Sequence, residues 1–252
     1  MLTATFPPPT ANRPRRAARP VRAARDAARC STCAMRHLCM PQGMEASDVP
    51  KLEALICTAR TIRRGEALYR GGDPFDNLYA VRSGSLKTSM AHRDGREQVT
   101  GLRIAGEALG LDGISDGVHA CSAVALEDSS VCIVPYAALK RLCREIGSMQ
   151  DRFHKLMGEQ IVREAGQMMV LGSLSADERV AAFLLDVSRR NAQRGYSSNE
   201  FNLRMTREDM GSYLGLTLET VSRTLSRFQK RGLLDTQGKF IRIVDFEGLQ
   251  HL

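Results

Sequence analysis

The segment TREDMGSYLGLTLETVSRTLSRFQKRG, residues 206–232, leaves this chain the fewest options. Thr206 suits a helix N-cap, and Glu208 and Asp209 follow in a first turn, where negative charge is favoured. Met210 and Leu214 face inward at helical spacing, Gly215 ends the helix, Leu216 turns the chain inward, and Thr217 caps a second helix. There Leu218, Val221, Leu225 and Phe228 form the buried stripe, and the opposite face shows Glu219, Ser222, Arg223 and Ser226. Arg227, Lys230 and Arg231 follow. A helix, a short glycine-containing turn and a polar-faced helix make the helix-turn-helix layout. Its second helix enters the major groove of double-stranded DNA with its N-terminal residues on base edges.

The exposed side chains have the right chemistry. Arg donates two hydrogen bonds to guanine O6 and N7, Glu accepts from cytosine N4, and Ser serves either role. Glu219 and Arg223 are four apart, so they could read both members of a G·C pair. The plainer alternative is a surface ion pair at that spacing. An acid on a phosphate-facing helix belongs there only if it reads a base. The predicted DNA contacts are therefore Thr217, Glu219, Ser222, Arg223 and Arg227. LLDTQGKFIRI then alternates about Gly238 as a two-stranded wing would, with Lys239 and Arg242 either at phosphates or simply solvated.

Upstream the pattern changes twice. From about 60 to 135, short apolar runs such as LYAVRSGSLKTSM and QVTGLRI are punctuated by glycine, the pattern of an all-β sandwich, barrel or jelly roll. From about 136 to 172 one long helix is predicted, with Ile161, Ala165, Met168 and Gly172 forming a narrow apolar seam. Leu156, Met157, Met169 and Leu171 widen that face. The seam packs either on its own body or on its twin in a homodimer; the small Ala165 and Gly172 favour close approach of two copies. Glu164 beside it would meet its own copy, and that repulsion would leave the dimer easy to switch.

The net charge of +8 is uneven. Residues 1–29 hold seven arginines against Asp26, residues 179–252 carry 12 Lys and Arg against 8 Asp and Glu, and the middle is slightly acidic. A basic end unit agrees with a nucleic-acid partner. The start is rich in Pro, Ala and Arg, so a disordered solubilising or DNA-grazing arm is expected. A mitochondrial transit peptide is the alternative, disfavoured because Pro7, Pro8, Pro9 and Pro14 break an amphipathic helix. No run approaches the roughly 18 apolar residues of a membrane span. No secretory h-region is visible, so a cytoplasmic protein with no membrane partner is expected.

Seven cysteines, an odd number, do not make a disulfide scaffold. Cys30, Cys33 and Cys39 instead follow a C-x2-C-x5-C spacing, three soft ligands in a short run. Zinc could complete its tetrahedron with His37 or another Cys, whereas an iron–sulfur cluster wants a fourth thiolate. Cys57, Cys121, Cys132 and Cys143 are the choices, and spacing does not decide among them.

These residues resemble the FNR-type anaerobic regulators (fumarate and nitrate reduction regulator) of the cyclic-AMP receptor protein superfamily. The similarity covers roughly residues 30–245. It rests on the cysteine spacing with Pro41 soon after, LYAVRSGSLKT at 78–88, ERVAAFLLDVSRRNAQRGYS at 178–197 and MTREDMGSYLGLTLETVSRTLSRFQKRGLL at 205–234. The arginine-rich start is not part of the family pattern. After the basic tail (1–29), the resemblance implies an α+β fold in three stretches: a cysteine knot with a jelly-roll-like β-roll sensor domain (30–150), a dimerisation helix (151–173) and a winged helix-turn-helix domain (174–252). It implies Cys132, in SSVCIVP, as the fourth ligand, with Cys121 the second choice. It implies one [4Fe–4S] cluster per subunit on Cys30, Cys33, Cys39 and Cys132, a homodimer through Ile161, Glu164, Ala165 and Met168, and palindromic TTGA-type sites. It further implies an oxygen-responsive transcription regulator that acts with RNA polymerase and leaves DNA when oxygen destroys the cluster.

Three rivals remain. The superfamily's other branch senses cyclic nucleotides, and Gly106-Glu107 resembles the start of its phosphate cassette. A buried cyclic phosphate needs an Arg, however, and none lies between Ile104 and Leu139, so no cyclic nucleotide is expected. A zinc-stabilised, constitutive DNA-binding protein would be colourless and indifferent to air. A thiol enzyme is disfavoured, because no Cys–His–Asn or serine-nucleophile pattern appears.

Overall fold

The computed structural model describes residues 29–56, 58–92 and 94–252. The basic tail up to residue 28, and Cys57 with it, lie outside the described residues.

Two short helices, α1 (Arg36–Cys39) and α2 (Val49–Leu55), lead into eight strands. These are β1 (Thr58–Ile62), β2 (Ala67–Tyr69), β3 (Asn77–Ser83), β4 (Ser85–Ala91), β5 (Glu97–Ile104), β6 (Ala108–Leu109), β7 (Ser122–Ala125) and β8 (Ser129–Pro135). They pair antiparallel as two four-stranded sheets, β1-β8-β3-β6 and β2-β7-β4-β5. Alternating residues meet inside: Ile62, Val81, Leu86, Ala123 and Val131 are fully buried. This is the β-roll.

The single helix expected from 136 to 172 is two, α3 (Tyr136–Glu145) and α4 (Gly147–Ser173). Ile146 between them is extended (φ −126°, ψ 103°). Its side chain is buried with Met40, Leu52, Leu78, Leu139, Leu142 and Met149. Packing of α3 on the roll thus overrides a helical pattern that runs through the junction, and the first turn of α4 precedes residue 151. At 27 residues, α4 is about 40 Å long.

The C-terminal unit contains α5 (Ala176–Ala192), β9 (Glu200–Asn202), α6 (Arg207–Leu214), α7 (Leu218–Lys230), β10 (Leu234–Gln237), β11 (Phe240–Ile243) and α8 (Phe246–Gln250). The expected hairpin about Gly238 is β10 and β11, and β9 joins it as a third strand. The fold is therefore α+β: a β-roll, a long helix and a winged helix-turn-helix. Sequence reasoning missed β9 and α8, which are too short for periodicity to register.

Local chemistry fixes the helix ends. Ser175 and Thr206 each form a reciprocal capping box, with Glu178 and Asp209 respectively. Gly215 closes α6 in the left-handed region, φ +64°. Val180, Leu184, Met210, Leu214, Val221, Phe228, Leu234 and Ile241 form the core of this unit, and it continues into Val99, Leu102 and Leu126 of the roll. The two units also meet through polar contacts. Lys87 Nζ is 2.5 Å from Asp209 Oδ1, and Val99 N donates to Ser212 Oγ at 2.8 Å. Among the described residues, no helix is long and apolar enough to cross a membrane.

Candidate DNA-reading surface and cysteine site

α7 presents its N-terminal face outward. Glu219 and Arg223 are exposed and Ser222 is half-buried beside them. The backbone N–H at the helix start, then the Thr217 hydroxyl and Arg223, hold the Glu219 carboxyl below its usual range. Among the ion pairs of the described residues there is none between Glu219 and Arg223, so both heads point to solvent. Thr217 caps the helix, its hydroxyl accepting from Thr220 N at 3.2 Å.

One expectation on this helix changes, and Arg227 gains a partner. Leu218, expected in the buried stripe, is 45% exposed. It occupies the first position of α7, and the stripe is completed instead by Thr224, whose hydroxyl donates to Asp177 Oδ1 at 3.0 Å. Arg227 is clasped to the same carboxylate, with Nε 3.0 Å from Asp177 Oδ2. It ties α7 to the first turn of α5 rather than standing free. Arg242 likewise pairs with Asp235 across the hairpin, whereas Lys230, Arg231 and Lys239 are exposed.

The second site joins distant segments. Turns run from Cys30 to Cys39: Cys33 N donates to Cys30 O, Arg36 N to Cys33 O and Cys39 N to Met35 O. Cys132 comes from the middle of β8, paired with Ala59 on one side and Ala80 on the other. All four thiols are half-buried. Burial first, then Cys132, Glu53 and Cys33, push the Cys30 thiol up to about 11. Burial, then Cys33, Cys132 and Cys30, push Cys39 up to about 12. Burial raises Cys132 also, with Cys33 adding to it and Arg82 opposing. Each of Cys30, Cys39 and Cys132 therefore feels at least one other of the four sulfurs, and a neighbouring thiolate disfavours its own ionisation. A cationic centre would relieve that repulsion.

The other described thiols feel none of these four sulfurs. Cys121 sits in the roll interior between Asp112 and Tyr69, and Cys143 packs with the cluster under α3. His37 Nε2 faces Gln193 O at 3.1 Å. Among the described residues, no three His, Cys, Asp or Glu side chains are close enough to hold a single metal ion. Four thiolates are the donor set that an iron–sulfur cluster takes.

On α4, Ile161 is 66% and Met168 67% exposed, with Glu164 and Ala165 on the same open face. Gln160 Nε2 donates to Glu164 Oε1 at 2.6 Å. Sequence reasoning missed the charged residues joining the units: Glu107 with Arg163, Arg190 and Arg194. Arg190 and Arg194 fall inside the 178–197 stretch, but only the fold shows what they reach.

Comparison with known proteins agrees with this architecture. Residues 178–252 match the Crp-like helix-turn-helix domain, and residues 59–146 match the cyclic nucleotide-binding domain. Together these define a DNA-binding regulator with a ligand-domain-like roll. The chain is 45% identical to the Transcriptional regulatory protein btr of Bordetella pertussis over 90% of this chain and 94% of that protein. It is 40% identical to the Fumarate and nitrate reduction regulatory protein of Escherichia coli K12, over 90% of each. The solved structure of FixK2 from Bradyrhizobium japonicum superposes with a TM-score of 0.72 at 31% identity, covering 77% of this chain and 96% of that one. The chain belongs to the FNR-type transcription regulators of the cyclic-AMP receptor protein superfamily.

Proposed function

We propose that this chain is an oxygen-responsive regulator that binds palindromic TTGA-type sites as a homodimer when Cys30, Cys33, Cys39 and Cys132 hold a [4Fe–4S] cluster. What supports the reading is that Cys30, Cys39 and Cys132, from a loop and a strand far apart in sequence, each feel others of the four sulfurs, whereas Cys121 and Cys143 feel none of them. When bound, the cluster supplies positive charge to four mutually repelling thiolates and a core that oxygen can oxidise and break up.

The chain's own residues supply the rest. Loop 30–39 has little buried apolar surface of its own beyond Met35, so ligation contributes to ordering it. That loop touches α4, where Arg152 Nη2 donates to Leu38 O at 2.5 Å. Ordering the loop thereby favours the arrangement in which Ile161, Ala165 and Met168 bury against their copies despite Glu164. Two α7 helices then stand about 34 Å apart, one DNA turn, and a palindrome is read twice. Bound there, the dimer acts with RNA polymerase in the cytoplasm.

A cyclic nucleotide is not the effector in this reading. The roll interior is filled by Val81, Leu86, Val131 and a Tyr69–His119 stack 3.7 Å apart. Glu107 is already engaged by Arg190 and Arg194. Arg103 lies one residue outside the Arg-free span and is buried, but its Nη2 donates to Gln160 Oε1 of α4 at 2.9 Å.

The test is iron and sulfide per chain in protein prepared under nitrogen, for Cys132→Ala beside Cys121→Ala. Cys132→Ala is expected to lose the cluster and the anaerobic DNA binding, and Cys121→Ala to keep both. Full cluster content in Cys132→Ala would overturn the ligand assignment.

A further inference from the structure

One buried charged constellation joins the parts of the fold. Glu107 follows β5 on the roll and is only 9% exposed. Its carboxylate accepts from Arg190 Nε at 2.9 Å and Nη2 at 2.8 Å, and from Arg194 Nη2 at 2.7 Å. Arg163 Nη1 of α4 stands 3.5 Å away. The same arginines also donate to roll carbonyls, Arg190 to Leu102 O and Arg194 to Ala105 O. One carboxylate thus gathers the roll, the long helix and the DNA-reading unit.

The charge balance makes this junction depend on that carboxylate. Buried Arg103 adds a fourth guanidinium, and Asp186, 3.1 Å from Arg190 Nη1, is the only other acid paired there among the described residues. Guanidiniums in excess repel one another, and removing the acid of a buried pair leaves uncompensated charge. Without Glu107 the three parts lose their common anchor and push apart.

The cysteine loop abuts both ends of this junction. Gly106 directly precedes Glu107 at φ +85°, and a Cβ there would stand 2.7 Å from Leu38 Cδ1. Cys39 Sγ lies 3.9 Å from Gly106 O. His37 contacts Gln193 O, between Arg190 and Arg194 in the chain. Meanwhile α6 rests on the roll through Lys87–Asp209 and Val99–Ser212, leaving Glu219 and Arg223 uncovered.

We propose that Glu107 is a positioning residue for DNA binding: it latches Arg163, Arg190 and Arg194 so that α7 is held in a reading orientation, and the packing of residues 37–39 on Gly106 and Gln193 sets whether the latch is closed. The role given to the cysteine loop rests on the function proposed above. In this scheme the loop has two outputs, one through Arg152 to the dimer helix and one through Glu107 to the orientation of the reading head.

The experiment uses full-length Glu107→Gln beside the parent protein, both prepared under nitrogen. It measures iron and sulfide per chain, mass by sedimentation, hydrogen exchange, and affinity for a duplex carrying a TTGA palindrome. Iron and mass are expected to match the parent. Exchange is expected to quicken at 102–107 and 186–195, and affinity to fall by about tenfold. Arg194→Gln, which leaves Arg190 on Glu107, should move exchange and affinity the same way by less. Quickened exchange with unchanged affinity would overturn the positioning role. Joint loss of iron, mass and affinity in both variants would reduce Glu107 to a scaffold residue and overturn it too. An iron-free parent would instead overturn the cluster reading, and the variant-to-parent comparison of exchange and affinity would still judge the latch.

Discussion

The reading helix α7 and the cysteine site are built in opposite ways. α7 takes its cap from Thr217, its stripe from residues three and four apart, and its turn from Gly215, all close neighbours in the chain. Its core partners fill a large apolar cluster. The cysteine site sets a loop with a single four-residue helix against one thiol of β8, about a hundred residues on in the chain. Nothing local holds the four sulfurs together, and burial with neighbouring sulfurs pushes the Cys30 and Cys39 thiols up, so ionising them without a bound cation is disfavoured. A region built from local contacts and a deep core keeps its shape unaided, whereas a region of sparse burial sits at the low-stability end and responds to a ligand. That division suits a rigid reader governed by a contingent sensor.

Each region can be perturbed while the other is watched. The largest effect is expected from Phe228→Ala, which empties a fully buried site in the reading unit. It should destabilise the protein by about 3–5 kcal/mol and leave the iron content of the native fraction unchanged. Thermal unfolding with iron counts checks this, and parallel loss of iron would show that the two regions are not separable.

A smaller, sharper effect is expected from Arg223→Ala. It should cost about 1–3 kcal/mol in binding and relax preference at one G·C pair, measured on a panel of single-base site variants. A uniform loss across the panel would make Arg223 a phosphate contact. The smallest effect is expected from Arg227→Ala. Its half-exposed pair with Asp177 contributes about 0.2–1 kcal/mol, so unfolding should shift slightly while base preference stays put. A changed preference would make Arg227 a base contact.

The same contrast explains what was legible in the chain. The caps at Thr206 and Thr217, the stop at Gly215 and the outward Glu219 and Arg223 were all readable, because helix ends and faces are written in adjacent residues. The trio Cys30, Cys33 and Cys39 was visible by spacing, but its fourth partner was not, since β8 reaches it only through sheet pairing. Cys132 came from family resemblance. The break at Ile146 was hidden because burial against Leu142 and Met149, not local propensity, bends the chain there. Leu218 was misplaced because a stripe says nothing about where the partner surface ends. Glu107 and its arginines were invisible because each charge looks solvated until three separate parts of the fold converge on it.

Whether sulfur-held iron decides the pairing of two chains on DNA is read by following one anaerobic sample through exposure to air, recording the absorbance spectrum, iron and sulfide, sedimentation mass and affinity for a TTGA palindrome together. A coloured dimer that binds tightly is expected first, then loss of colour, halving of mass and weakened binding in step. A colourless, iron-free dimer that grips the palindrome equally well before and after air would overturn the role given to iron.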